Sequence, residues 1–465
     1  MIRIPDACNA TYGVVGLGKS GRAAVASLLA SGALVWAWDD NEATRVAVQR
    51  EHPAVHLAPV DGWPMETFRA VVVSPGILLS HPAVVAANAH GVEVLGDIEL
   101  LYRAQPDATY IGITGTNGKS TTTTLIAHLL AACGRRVEVG GNLGTPALAL
   151  APLEAGGIYV LELSSYQLDL VRTTRINIAV LLNISPDHLD HHGSMENYIA
   201  AKRHIFDRQT AADVAVVGVD DAISESIART LIATKNQRVI PIAASQSVVN
   251  GVSVRGGMLQ NRLQQNREQM GDLSTVKSLQ GDHNGQNAAA AYAACVALGC
   301  DHAALMAAMA SYPGLAHRME WLGEVAGVRY VNDSKATNAD AAEKALKTYD
   351  VVYWILGGVV KEGGIVPLAP YFPKIRHAYL IGQAAEDFAK TLEGQVPYTL
   401  CGTLENAFHA AAGAAQKNVA LNPVVLLSPA CASFDQYANF EVRGEAFRAL
   451  FAALKSVGGA HGTAA

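Results

Sequence analysis

The sequence has few of the features that mark secreted, membrane or nucleic-acid-binding proteins. Its six cysteines show no C-x-x-C pairing of the zinc or redox kind. Only 16% of its residues are charged and its net charge is -6, so no basic field is available to hold a nucleic-acid backbone. A signal-peptide pattern is missing, and the apolar runs are too short to cross a bilayer. These absences predict a cytoplasmic protein with no membrane span and no nucleic-acid partner.

Length and composition favour several α/β domains. At 465 residues, the chain exceeds what one hydrophobic core usually serves, and about 150 residues per domain suggests three domains. Half of the residues are hydrophobic, as expected for parallel strands that are buried on both faces. We therefore expect consecutive α/β domains, each built around its own sheet.

A glycine motif opens the first α/β block. The sequence Gly16-x-Gly18-x-x-Gly21 follows a short β-branched run, and the next strand, Leu34 to Trp38, ends at Asp39. This spacing is the dinucleotide fingerprint, in which a phosphate approaches a helix N-terminus over glycines. It predicts a Rossmann-like domain and leaves an NAD-dependent oxidoreductase as one hypothesis, although no hydride-transfer site can be identified.

The second block carries a phosphate loop. Residues 114–121, Thr-Gly-Thr-Asn-Gly-Lys-Ser-Thr, lie between an apolar strand and an apolar helix. Backbone N–H groups of such a loop face phosphate oxygens, while Lys119 supplies charge and Ser120 a magnesium ligand. The register differs from G-x-x-x-x-G-K-[ST], because Ile113 stands where the first glycine is usual. The motif predicts a P-loop ATPase-type domain that binds ATP or another nucleoside triphosphate.

Two polar segments follow strands of the same block. Glu162 ends one strand and is a candidate magnesium ligand at the carboxyl edge of a sheet. Residues 187–192, Asp-His-Leu-Asp-His-His, end another strand, with a spacing that fits no standard zinc site. We expect His188 to serve the nucleotide site, and His191 and His192 to be surface residues.

The third block begins after the turn-rich linker 311–315 and again alternates strands with helices. A second doubly wound, Rossmann-like sheet is expected there. The three domains predicted are therefore 1–98, 99–314 and 315–465.

Five motifs in order resemble the Mur ligase family: 114–121, 162–167, 187–190, 281–287 and 317–318. The resemblance covers nearly the whole chain. It implies a UDP-binding first domain, a central ATPase domain, and a C-terminal domain that contacts ATP and the incoming amino acid. It also implies a monomeric ligase of peptidoglycan precursor synthesis.

Two further segments, 332–338 and 427–440, resemble the branch of the family that adds D-glutamate. The resemblance implies an ATP-dependent ligase that joins D-glutamate to UDP-N-acetylmuramoyl-L-alanine through an acyl phosphate. Other hypotheses remain at this point: an L-glutamate-adding relative, a folate polyglutamate synthase, the NAD-dependent oxidoreductase above, and a nucleotide-binding regulator without catalysis.

The resemblance also implies roles for individual residues, with ATP and two magnesium ions as cofactors. Its ATP contacts are Gly115, Thr116, Asn117, Gly118, Lys119, Ser120, Thr121, Asn287, Arg318 and Asp333. Its substrate contacts are Lys19, Ser20, Asp39, Asp40, Ser74 and Asn142 for the UDP precursor, and Lys335, Thr337, Lys361, Ser433 and Phe440 for glutamate. Its magnesium ligands are Ser120, Glu162, His188 and Lys202, with Lys202 as a carbamate.

The implied catalytic residues are Lys119, His188 and Lys202. Lys119 would neutralise charge on the transferring phosphoryl group. His188 would act either as a metal ligand or as the base that takes a proton from the amine, and the sequence leaves both roles open.

Overall fold

The computed structural model describes residues 1–264, 267–279, 281–360 and 363–460. The chain divides into two compact units, Met1–Tyr312 and Pro313–Ala465. Three separate sheets of five, nine and six strands form the cores. Within the described ranges, no helix combines the length and hydropathy needed to span a membrane.

The first sheet is parallel and has the Rossmann strand order. Its elements are β1 (Thr11–Val15), α1 (Lys19–Ala30), β2 (Leu34–Trp38), α2 (Glu42–Glu51), β3 (His56–Leu57), β4 (Phe68–Val73), α3 (Pro82–Ala89), β5 (Glu93–Leu95) and α4 (Asp97–Ala104). The strand order is β3-β2-β1-β4-β5. The order reverses between β1 and β4, and ligands of open α/β sheets bind at such a point.

The second sheet belongs to the same unit and is larger. Its elements are β6 (Thr109–Thr114), α5 (Lys119–Ala132), β7 (Val137–Gly141), β8 (Ile158–Glu162), α6 (Ser165–Leu168), β9 (Ile178–Leu181), α7 (Leu189–His192), α8 (Met195–Arg203), β10 (Val214–Gly218), α9 (Ala222–Thr234), β11 (Arg238–Ala243), β12 (Val252–Arg255), β13 (Met258–Gln264), β14 (Arg267–Asp272), α10 (Asp282–Ala297) and α11 (His302–Ala310). The order is β14-β13-β12-β11-β10-β9-β6-β8-β7. Apolar residues of α5 and α10 pack in one core against strands β6, β8, β9 and β10.

The third sheet forms the second unit. Its elements are β15 (Glu320–Val325), β16 (Val328–Asn332), α12 (Ala339–Thr348), β17 (Val352–Gly357), β18 (Ile375–Ile381), α13 (Ala385–Leu392), β19 (Tyr398–Gly402), α14 (Leu404–Gln416), β20 (Val424–Leu427) and α15 (Phe440–Ala460). The order is β15-β16-β20-β17-β18-β19, and only the pairing of β15 with β16 is antiparallel among these described strands. Apolar side chains cover both faces of this sheet.

Short 3₁₀ helices connect these elements at Val60–Gly62, Met65–Thr67, Ala147–Ala149, His204–Phe206, Lys277–Leu279, Val366–Lys374 and Val419–Leu421. The predicted fold class, three α/β domains with mostly parallel sheets, is confirmed. The antiparallel strands β12 to β14 were not predicted, because the stretch from Val252 to Asp272 is polar and has no clear apolar alternation.

Candidate active site

The phosphate loop between β6 and α5 depends on two glycines with positive φ. Gly115 has φ +148° and Gly118, the N-cap of α5, has φ +85°. A Cβ atom on Gly118 would stand 2.2 Å from Oδ1 of Asn287, at the N-terminal part of α10. Asn287 itself is buried and accepts a hydrogen bond from Thr122 at 3.2 Å. The loop therefore fits tightly against α10, at a helix N-terminus suited to phosphate.

Two lysines converge on this loop from different helices. Lys119 Nζ donates to the carbonyl oxygens of Gly115, at 2.9 Å, and Thr116, at 3.0 Å. Lys202 of α8 donates to the same Gly115 oxygen at 3.0 Å and is only 2% exposed. Burial, followed by repulsion from Lys119, lowers the pKa of Lys202 to about 7. Lys202 is therefore not the solvated helix lysine that its sequence context alone would suggest.

Residues outside the predicted set hold the loop in place. Asn183, just after β9, accepts from Asn117 N at 2.9 Å and donates to Gln286 Oε1 at 2.8 Å. The Thr116 hydroxyl lies 3.1 Å from the Tyr198 hydroxyl of α8. The sequence did not point to Asn183, Gln286 or Tyr198 as site residues. The available signal was that Gln286 lies within the motif 281–287 and that Asn183 shortly precedes the motif 187–190.

Glu162 ends β8 as a buried carboxylate, 3% exposed. Its Oε1 accepts from Nδ2 of Asn142 at 2.8 Å, which brings two predicted site residues together. Its Oε2 is buried and has no hydrogen-bond partner among the described residues. A buried carboxylate oxygen without a hydrogen-bond donor destabilises the folded protein, and a hard cation such as Mg²⁺ would be a suitable partner for it.

His188 is the left-handed N-cap of the short helix α7, with φ +53°. Its side chain is 48% exposed, and its Nε2 lies 3.4 Å from the carboxylate of Asp187. Its ring also lies 5.2 Å from that of Tyr166, in the segment that follows Glu162. These contacts leave the imidazole accessible to a ligand.

The prediction that His192 is a surface residue was wrong. Its side chain is 3% exposed, its Nε2 lies 2.9 Å from the hydroxyl of Ser165, and its ring stacks on Tyr166 at 5.5 Å. His192 thus ties α7 to α6, so the loops that carry His188 and Glu162 are joined. His191 is half-buried.

The first sheet forms a second glycine loop. A Cβ atom on Gly21 would lie 1.8 Å from the carbonyl oxygen of Gly16, which in turn accepts from Ser74 Oγ at 2.6 Å. Asp39 accepts from Leu17 N at 2.6 Å and from Asn41 N at 2.9 Å. Each carboxylate oxygen of Asp39 thus accepts one backbone N–H group and keeps a second acceptor site, so these contacts do not decide between NAD and another nucleotide.

A cavity of about 390 Å³ opens beside the N-terminus of α1, and Lys19, Arg22 and Pro146 are among its lining residues. Lys19 gives the cavity positive charge, which suits an anionic ligand, whereas the charge of Arg22 is paired with Glu51. Ser20 hydrogen-bonds Asp97, whose pKa is raised by burial. Asp40 lies at the exposed end of the loop after β2, where its Oδ1 accepts from Nε1 of Trp38 at 3.2 Å.

In the second unit, Asp333 follows β16 and is 3% exposed. Its carboxylate accepts from Ser428 Oγ at 2.8 Å and from Met319 N at 3.1 Å. Burial raises the pKa of Asp333 to about 7, against the lowering effect of these hydrogen bonds and of Arg318. The predicted residues Asp333 and Arg318 are therefore near neighbours in this unit.

The other predicted residues of this unit surround the carboxyl ends of β16 and β20. Lys335 Nζ lies 5.8 Å from the ring of Phe440, and Lys335 N donates to the carbonyl of His317 at 2.8 Å. Thr337 N donates to the carbonyl of Lys335 at 2.9 Å, and Ser433 is 2% exposed. Lys361, the remaining predicted residue, lies outside the described residues.

Comparison with known proteins identifies the family. The chain matches three family profiles: Mur ligase MurD-like, N-terminal domain, over residues 10–96; Mur ligase middle domain, over 113–295; and Mur ligase, glutamate ligase domain, over 317–431. It is 51% identical to UDP-N-acetylmuramoylalanine--D-glutamate ligase of Rhodospirillum rubrum, over 95% of this chain and 94% of that protein. The chain belongs to the Mur ligase family. The ligase of the same name from Caulobacter vibrioides is 48% identical to this Mur ligase over 99% of both chains.

Solved structures agree on the fold. This Mur ligase is similar to UDP-N-acetylmuramate-alanine ligase from Thermotoga maritima, with a TM-score of 0.57 and 18% identity over 96% of this chain and 99% of that chain. It is also similar to a UDP-N-acetylmuramoyl-L-alanyl-D-glutamate--2,6-diaminopimelate ligase, with a TM-score of 0.56 and 20% identity over 88% and 98%. At these identities, the likeness concerns the three-domain architecture alone.

Mur ligases are ATP-dependent and require magnesium. The residues of this Mur ligase fit both requirements. The phosphate loop presents Lys119 at a helix N-terminus, and Glu162 offers an unpartnered buried oxygen among the described residues. Ser120, at 9% exposure, lies in the first turn of the same helix.

Proposed function

We propose that this Mur ligase adds D-glutamate to UDP-N-acetylmuramoyl-L-alanine, using ATP and releasing ADP and phosphate in peptidoglycan precursor synthesis. The observation that carries the chemistry is the convergence of Lys119 and Lys202 on the Gly115 carbonyl. The choice of substrates is supported by the names of relatives that are 51% and 48% identical over nearly the full chain.

The first step is attack of the alanine carboxylate on the γ-phosphoryl group of ATP. A bond forms between a carboxylate oxygen and phosphorus, the bond to the ADP oxygen breaks, and an acyl phosphate results. Both reactants are anions, so positive charge at the phosphate loop is needed more than a protein nucleophile. We assign Lys119 to this role, with the loop N–H groups of residues 115–121 holding the phosphates.

We assign magnesium to Ser120 and Glu162, with His188 and carbamylated Lys202 for a second ion. When bound, magnesium neutralises charge on phosphate oxygens. These residues would hold the ions. The hydrogen bond from Asn142 Nδ2 to Glu162 Oε1 orients the carboxylate and leaves Oε2 without a partner among the described residues.

The carbamate on Lys202 is supported by its burial and by its pKa of about 7. A carbamate forms when a neutral amine attacks CO₂ and loses a proton. An ordinary lysine is almost fully protonated near neutral pH, whereas the amine of Lys202 is neutral in a large fraction of molecules. The product replaces a cation by an oxygen ligand, which suits magnesium.

In the second step, the glutamate amine attacks the acyl carbon, phosphate leaves and an amide forms. We assign glutamate binding to Lys335, Thr337, Lys361, Ser433 and Phe440, and ATP contacts to Arg318, Asp333 and Asn287. Lysine cations complement the two carboxylates of glutamate. We propose two alternative roles for His188, which is exposed beside Asp187: it takes the amine proton, or it holds the second metal.

The UDP part of the precursor is assigned to the first glycine loop with Lys19, Ser20, Asp39, Asp40 and Ser74. The positive cavity beside α1 supports this assignment. We also propose the domain division 1–98, 99–314 and 315–465, and that the protein is a monomer. We propose that it acts in the cytoplasm, because the reaction consumes ATP.

The acyl phosphate can be tested with UDP-N-acetylmuramoyl-L-alanine that carries ¹⁸O in its alanine carboxylate. The mechanism transfers one labelled oxygen to each phosphate released, because the oxygen that attacks phosphorus leaves with it. Mass spectrometry of the phosphate measures this transfer. Release of unlabelled phosphate during amide formation would contradict the proposal.

A further inference from the structure

A single arginine joins three loops of the second unit. Arg443, in α15, is only 1% exposed, although its side chain is cationic. Its Nε donates to Ser334 Oγ at 3.0 Å, and its Nη2 donates to the carbonyls of Ser334 at 2.9 Å and Cys431 at 3.0 Å. Its Nη1 reaches the carbonyl of Gly357 at 3.5 Å.

The acceptors of Arg443 lie at the carboxyl ends of three neighbouring parallel strands. Ser334 follows β16, Cys431 follows β20 and Gly357 ends β17, and β20 pairs with both of the other strands. The loops after β16 and β20 contain Lys335, Thr337 and Ser433, which are assigned to glutamate, together with Asp333. Ligands of open parallel sheets bind at this edge, so the guanidinium lies beneath the assigned pocket.

Ser334 extends this connection. Its hydroxyl accepts from Arg443 Nε and donates to the carbonyl of Phe440 at 2.8 Å. Ser334 stands between Asp333 and Lys335 in the chain. The bonds of Arg443 and Ser334 therefore link the loop after β16, the loop after β20 and the first residue of α15.

The buried positive charge of Arg443 is hydrogen-bonded to neutral groups. Its hydrogen bonds end on carbonyl and hydroxyl oxygens rather than on a carboxylate. Burial lowers the pKa of Arg443 to about 10, which still leaves it charged at neutral pH. The Asp435 carboxylate opposes this lowering of the pKa by electrostatic attraction. A buried cation whose hydrogen bonds go to neutral groups is still only partly compensated, so an apolar residue would serve stability alone about as well. The planar fork of arginine is what allows one side chain to reach three loops.

We propose that Arg443 is the positioning residue of the glutamate pocket: its guanidinium fixes the spacing of the loops after β16, β20 and β17. This role rests on the function proposed above. Arg443 itself touches no substrate in this account. It acts through Lys335, Ser433 and the neighbouring backbone, whose mutual distances decide how well a dicarboxylate fits.

The test compares Arg443→Lys and Arg443→Met with the wild type in steady-state kinetics. We expect both variants to raise KM for D-glutamate about 10-fold or more, while KM for ATP and for the UDP precursor changes less than about 2-fold. Lysine should not rescue, because one ammonium group cannot span the three loops. The matched control is Arg329→Met, at the opposite edge of the sheet, where Arg329 also donates to a backbone carbonyl, that of Asn422. It should leave KM for D-glutamate unchanged.

An unchanged KM for D-glutamate in folded variants, or full rescue by lysine, would overturn the proposal. If both variants fail to fold, Ser334→Ala removes one bond of the same network and should raise KM for D-glutamate by about 2- to 5-fold; no change would count against the proposal. Hydrogen exchange of the unliganded protein supplies a reading that is independent of turnover. Faster exchange in all three loops of Arg443→Met is expected, whereas exchange equal to the wild type would refute positioning. Failure of the wild type to use D-glutamate would refute only the proposed function.

Discussion

Asp333 is a carboxylic acid whose protonation should be visible in the stability of the second unit. Its folded pKa is raised to about 7, whereas the unfolded chain has the ordinary value of about 3.9. Between these values the folded state holds a proton that the unfolded state has lost. Stability should therefore fall as pH rises through this window, by on the order of 1 kcal/mol per pH unit, and level off above the folded pKa.

The variant Asp333→Asn should remove this dependence, since an amide can keep both hydrogen bonds when the Ser428 hydroxyl reverses. Hydrogen exchange of peptides from the second unit, between pH 5 and 8, measures the effect. Asp350→Asn is the control, because the Asp350 side chain is 85% exposed. If the stability of the second unit changes with pH in the same way in Asp333→Asn and in the wild type, the raised pKa of Asp333 is contradicted.

Lys202→Met separates the chemical role of Lys202 from its packing. Methionine fills similar space without a charge, so the free energy of unfolding should hold or rise. Turnover should fall about 100-fold or more, because an oxygen ligand at the transferring phosphate is lost. With ¹³C-labelled CO₂, the wild type should show a carbamate signal by NMR and Lys202→Met none. The exposed Lys417→Met is the control, and an equal carbamate signal in Lys202→Met would exclude this lysine as its source.

The sequence motifs identified most of the candidate residues, but they did not show whether each side chain is buried or which residues it contacts. Lys202 sits in a polar-looking helix, and only the packing of α8 under the phosphate loop buries it. His192 was misplaced for the same reason, since its partner Ser165 is 27 residues away in sequence. Burial and long-range partners come from tertiary structure, which residue spacing does not contain.

At the scale of elements, the phosphate loop packs so closely against α10 that a change in the contact between them should alter ATP binding. Gly118→Ala adds a methyl group 2.2 Å from Asn287 Oδ1 at φ +85°, whereas Gly134→Ala, just after α5 at φ +73°, meets nothing within 4 Å. Both substitutions carry a similar backbone strain of about 1 kcal/mol. Only Gly118→Ala should also displace the loop and weaken ATP binding, by about 10-fold or more.

Calorimetric titration with a non-hydrolysable ATP analogue measures this difference in ATP affinity. Thermal unfolding of both variants measures how much each substitution destabilises the protein. Equal ATP affinity in Gly118→Ala and Gly134→Ala would show that the close contact with Asn287 does not matter.

The glycine motifs were the elements most readily predicted, because their backbone conformations exclude other residues. The antiparallel edge β12 to β14 could not be predicted, since its polar strands owe their pairing to neighbouring strands.

For the whole molecule, each of the three sheets carries motif residues at the carboxyl ends of its parallel strands, where open α/β sheets bind ligands. The order of the motifs was enough to predict the family, and the relatives confirm it. The motifs do not fix the chemistry of each site residue to the same degree, because that chemistry depends on contacts with bound substrates. The sequence also could not indicate Arg443, which carries no motif and acts only through the packing of α15 under three loops.

The central claim is that this Mur ligase joins D-glutamate to UDP-N-acetylmuramoyl-L-alanine. The most direct measurement is phosphate release from ATP with that precursor, comparing D-glutamate, L-glutamate, diaminopimelate and no amino acid, together with the product mass. The account predicts release, and a product of the expected mass, with D-glutamate alone. Release with another amino acid in place of D-glutamate would contradict the proposed specificity, and no amino-acid-dependent release from folded protein would contradict the ligase itself.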